Sequence, residues 1–199
     1  MKRWLLVAGC CWSLVACRTA HVSGPAIEPL PAAADPLTAL YARADAFPGA
    51  RSIMSVRTTT GGQTRSFKAQ LVVENRQRME LIVYTPVGTT AATIHGQGDR
   101  VTISDNLTGS MLEGSASDML RQYGFFTGGL TPAEMGMLLL GYPPRRELVY
   151  QATAAGLARA EAGDVVVTFN RPSLPAQHAL VAHGADTVEI EHLEVAAMQ

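Results

Sequence analysis

The histidines and a cluster of glutamates near the C-terminus are the residues here that could do chemistry, by holding a metal or moving a proton. His178 and His183 sit on opposite faces of one expected strand, and His192 falls on the next. Zinc needs ligands converging on one point, with further groups to orient them, and this spacing scatters them. No metal site is expected, and the histidines read as surface residues on strands. Glu189, Glu191 and Glu194 could suggest paired acids, but they fit the solvated face of an edge or terminal strand. There is no Gly-x-Ser-x-Gly elbow, Ser-x-x-Lys, His-Glu-x-x-His, P-loop or Gly-x-Gly-x-x-Gly. The chain therefore reads as a non-enzyme.

The remaining reactive residue is Cys17. Lys2 and Arg3 precede an apolar run from Trp4 to Ala16. That run is shorter than the ~20 residues a spanning helix needs, and its length and flanks suit a secretory signal. It ends in Leu14-Val15-Ala16-Cys17, which resembles the bacterial lipobox. The resemblance implies residues 1–16 as a signal peptide cut before the cysteine. A covalent diacylglycerol and an acyl chain on Cys17 then take the place of any cofactor. The residues alone also allow an ordinary signal peptide with a chance cysteine. Cys10 and Cys11 would leave with the signal, so neither a disulfide framework nor a thiolate metal site can be built. The formal charge of −1 becomes more negative once Lys2 and Arg3 are removed, which disfavours nucleic acid as a partner.

Residues 17–36 form the lipidated N-terminus and an Ala/Pro-rich tether. Pro25, Pro29, Pro31 and Pro36 interrupt any helix or ladder, and the segment reaches roughly 60 Å if extended. Arg18 is not the aspartate that holds many lipoproteins in the inner membrane. The expected location is the outer membrane, lipid-anchored on its periplasmic face.

Residues 37–199 must then supply the folded unit. Asp35 to Ala46 suits a short helix with Leu37, Leu40 and Tyr41 on one face. Strands are expected over 52–60, 65–74, 78–85, 89–95 and 100–105, with a short one at Met111-Leu112. Phe67, Ala69, Leu71 and Val73 alternate with polar neighbours, as do Met79, Leu81 and Val83. Helices are expected over 115–123 and from Thr131 to Gly141. The second has a capping box, Thr131-Pro132-Ala133-Glu134, and carries no charge beyond Glu134. A short helix apolar all round must be buried on two sides, or move over something apolar. Five more strands follow, over 148–153, 157–162, 165–170, 177–183 and 187–195. Strands, then two helices, then strands make the fold class mainly β with α: one continuous antiparallel sheet that curves and is covered by short helices.

One loop stands out. In Thr85-Pro86-Val87-Gly88-Thr89-Thr90, Pro86 and Gly88 define a tight turn with Val87 at its tip. The strand Leu81-Ile82-Val83-Tyr84-Thr85, the Pro86-Val87-Gly88 turn and a following strand of small residues are together similar to the LolB family of outer-membrane lipoprotein receptors. The similarity runs on through the helix from Ser115, the helix Met135 to Leu140 ending Leu140-Gly141-Tyr142-Pro143, and Leu174-Pro175 before the last two strands. It covers Ser52 to Val195.

The resemblance implies an incomplete antiparallel β-barrel covered by helices and enclosing a hydrophobic cavity, in a monomeric protein that takes the acyl chains of lipoproteins from a LolA-like periplasmic carrier and inserts them into the outer membrane. It implies that Pro86, Val87 and Gly88 form the membrane-insertion loop, with Val87 in place of the family's protruding leucine. The family's tryptophans are missing, with Val72-Val73 and Met137-Leu138 in their places, which makes the expected cavity aliphatic and Met-rich. Candidates for the acyl-chain lining are Phe67, Leu71, Val73, Leu81, Val83, Leu138, Leu139, Val165, Val167 and Phe169. Each could equally be plain core, since a sheet this aliphatic must bury one face. The rival reading is a structural or assembly envelope lipoprotein that uses the sheet as a protein-binding platform; a filled interior would favour it.

Overall fold

A computed structural model describes residues 35–122 and 125–198. Helix α1, Pro36–Asp45, begins where Asp35 accepts a hydrogen bond from the Thr38 amide, with proline in the first turn. Pro36, the last residue of the expected tether, is the first of this helix. The rest of the tether, the signal segment and Cys17 lie outside the described residues, as does Tyr123 of the second expected helix.

Eleven antiparallel strands form one sheet. In chain order they are β1 Gly49–Thr60, β2 Gln63–Glu74, β3 Arg78–Tyr84, β4 Thr90–Gln97, β5 Arg100–Asp105 and β6 Ser110–Ser115, then β7 Val149–Thr153, β8 Gly156–Ala162, β9 Val165–Thr168, β10 His178–His183 and β11 Asp186–Ala197. Their spatial order is β6-β5-β4-β3-β2-β1-β11-β10-β9-β8-β7. The two outer strands, β6 and β7, do not pair, so the barrel stays open. Helices α2 (Ala116–Gln122) and α3 (Pro132–Leu139) join those two strands in sequence. The sheet, its curvature and its helical cover match the fold class expected from the sequence.

The glutamates lie on the expected solvated face of the last strand in the chain, but that strand is not at an edge: β11 sits at the centre, paired with β1 on one side and β10 on the other. Its glutamates are polar because they occupy the outer face, where Glu189 meets Arg57 at 3.7 Å and His178 at 3.0 Å. His192 is likewise not a surface residue. It is buried on the inner face, 8% exposed.

Helix α3 fills the concave side. Thr131 and Glu134 form a complete capping box at its start, and all but one of its residues are buried. Its first turn lies on Gly96 of β4, where a side chain would collide with Pro132. Gly136 seats the helix on β2: a Cβ there would stand 2.6 Å from Val73 Cγ2. The last carbonyls are accounted for one by one. Tyr142 donates to Met137 and Gly141 to Leu138, Ala176 donates to Leu140, and the His192 ring donates to Leu139.

Candidate functional site

The hairpin turns after β1, β3 and β5 project from one end of the sheet, since these strands run antiparallel and in register. Thr85 to Gly88 form a turn closed by Gly88 N–H to the Thr85 carbonyl at 2.9 Å. Gly88 takes the left-handed conformation, φ +86°, and the Thr85 and Thr89 hydroxyls bond across the base at 2.8 Å. Val87 stands at the tip, 85% exposed. The next turn carries Leu107, 71% exposed. It is held by Asp105, whose carboxylate accepts from the Leu107 and Thr108 amides. Those two bonds keep the Asp105 pKa below the ordinary carboxylate range. Met111 follows on β6, equally exposed. Three large apolar side chains thus share one rim.

Behind this rim a groove of about 510 Å³ opens between the sheet and the end of α2. Phe67, Val83, Ile94, Ile103 and Phe125 line it, with Arg65 and Arg121 near its mouth. The sequence did not single out Phe125. It follows the second helix, beside Phe126, and the adjacent phenylalanines in a loop were the available signal. Two larger depressions have mixed-charge linings. One crosses β2–β6, with Glu80, His95, Arg100 and Glu113; the other lies beside residues 170–177.

The enclosed cavity is much smaller than expected. Beneath α3 only about 40 Å³ remains, lined by Met54, Leu71, Met79, Leu81, Leu139 and their neighbours. Of the ten lining candidates, Phe67 and Val83 face the groove, while Leu71, Leu81 and Leu139 face the inner cavity. The other five line neither space. Val73 is covered by Gly136, and Leu138, Val167 and Phe169 are packed in the core. Val165 borders a small polar cleft with Ser117, Asp164 and His183. The reason is α3 itself: alternation along a strand tells which face is inward, but a buried helix occupies the room that face would otherwise enclose.

Titratable groups in the interior serve structure. Glu134 accepts from Arg145 Nε and Nη2, both at 2.6 Å, and from the Thr131 amide. Burial alone would raise its pKa, but these hydrogen bonds outweigh it and hold the carboxyl low. Among the described residues no three His, Cys, Asp or Glu side chains are grouped to hold a metal.

No protein-family model matches the chain, and no curated protein matches it by sequence. Solved structures do match by shape. A LolA superfamily protein from Nitrosomonas europaea superposes with a TM-score of 0.51 at 8% identity, covering 83% of this chain and 95% of that one. A protein domain from Vibrio parahaemolyticus named for outer membrane lipoprotein sorting gives 0.54 at 7%, covering 81% and 92%. The fold is LolA-like. A DUF1329 family protein from Desulfovibrio piger shares it too, at 0.54 and 10% identity over 82% and 94%. At these identities the likeness establishes the architecture, which carriers and receptors can have in common, and does not single out LolB.

Proposed function

We propose that the groove holds a lipid acyl chain, and that the protein accepts lipoproteins from a soluble LolA-type carrier and releases them to the outer membrane, to which Cys17 anchors it. The observation that carries this reading is positional. An apolar groove opens directly behind a rim where Val87, Leu107 and Met111 stand in solvent. A chain leaving the groove would meet the bilayer at the same end. No bond is made or broken. Transfer runs downhill because each methylene moved from a half-open groove into hydrocarbon is worth up to ~0.8 kcal/mol. Arg65 and Arg121 offer donors for ester carbonyls at the mouth. The shared LolA-like fold supports the reading.

The test is transfer of an acylated peptide from a LolA-type carrier to vesicles bearing the lipidated protein. Uptake and delivery are expected; a carrier that keeps its peptide would refute the reading. One observation favours the alternative of an assembly lipoprotein: the interior beneath α3 is nearly filled. On that reading the same vesicles take up no acyl chain, and the outer sheet face binds a protein.

A further inference from the structure

We infer that Phe125 sets the length of chain this site accepts, an inference that rests on the acyl-binding reading. The groove and the inner cavity follow one another along a single sheet face. On β2, Phe67 lines the first and Leu71 the second; on β3, Val83 lines the first and Leu81 the second. Phe67 and Leu71 are about 13 Å apart along the strand. Among the described residues Phe125 is the only side chain that borders both spaces. Its ring meets Phe67 edge to face, centroids 6.3 Å apart, and closes the groove at its inner end.

The surroundings let that ring move while its main chain stays. The Phe125 amide donates to the Leu120 carbonyl at 3.0 Å. The next ring, Phe126, is buried and stacked on His183 at 4.5 Å. The Phe125 ring is only half-buried and packs against the apolar core. Behind it the walls include Met54, Met79 and Met135, unbranched side chains that repack readily. At rest the inner cavity, about 40 Å³, is far smaller than the groove of about 510 Å³. A short chain therefore fits in the groove with Phe125 in place. A long chain must turn the ring aside and spread the methionines, so the work of displacement falls on long chains only.

The experiment is competition of octanoic and palmitic acid against a fluorescent fatty-acid probe on the full-length protein and two variants. Phe125→Ala removes wall contact from both acids but the barrier from palmitate alone, so it is expected to raise the preference for palmitate over octanoate about tenfold, equivalent to about 1.4 kcal/mol. Phe125→Trp, which keeps an aromatic ring at a half-exposed site, is expected to lower the preference for palmitate over octanoate. Equal changes for both acids would make Phe125 an ordinary wall and overturn the inference. Failure of the wild-type protein and Phe125→Ala to bind either acid would instead overturn the acyl-binding reading beneath it.

Discussion

His192 Nε2 donates to the Leu139 carbonyl at 3.1 Å, joining the central strand of the sheet to the last turn of α3. A carbonyl can only accept, so the proton sits on Nε2. Nδ1 then accepts from the Ser52 hydroxyl at 2.7 Å. Burial pushes the His192 pKa below its ordinary value, more than the Leu139 carbonyl raises it. The native state thus favours the neutral ring. Its contribution to stability is complete above the unfolded value near 6.5 and is lost as pH falls from there through the depressed native pKa. Urea midpoints measured from about pH 7.5 down to about pH 5 should fall in the wild type and fall less in His192→Gln. Parallel profiles would remove His192 from the cause.

Glu134 and Arg145 form a two-pronged ion pair, both contacts at 2.6 Å, with side chains 20% and 33% exposed. Removing Glu134 also unmakes the capping box. Glu134→Ala should cost about 1–2 kcal/mol in chemical denaturation. A double-mutant cycle with Arg145→Ala should show coupling, and strict additivity would mean the pair contributes nothing.

Gly136→Ala sets two effects against each other. Alanine improves helix propensity by up to ~1 kcal/mol, whereas overpacking costs about 1–3 kcal/mol. The new methyl would stand 2.6 Å from Val73 Cγ2, so a net loss of about 1 kcal/mol is expected. A stabilised variant would show that α3 can lift from the sheet.

Much of this was legible in the sequence. Strand alternation around Leu71 and Leu81 gave the inward face, and Thr131 with Glu134 marked the start of α3, because both signals are local. The centre of the sheet was not. Ser52 and His192 meet across 140 positions, and nothing in either segment encodes that pairing. For the same reason His192 read as a surface residue. Which residues border the groove and the inner cavity was only partly readable: Val73 and Leu138 have the inward face, but the depth at which α3 fills the hollow depends on Gly136 and Gly96, two contacts between distant segments.

Val87→Glu and Leu107→Glu should leave stability within about 0.5 kcal/mol, because both side chains stand in solvent. Either change should reduce co-sedimentation of the unlipidated protein with vesicles, and the pair should reduce it further. Unaltered binding would place the membrane contact elsewhere.

Cys17→Ser, outside the described residues, should leave an uncleaved precursor without acyl label. Labelling equal to wild type would locate the anchor at another residue.

The pairing of β1 with β11 decides when this molecule can fold. The first strand made waits for the last, so a chain emerging N-terminus first from a ribosome stays without its middle until Asp186–Ala197 arrives. Trimming the C-terminus would therefore split the two halves apart rather than fray a border.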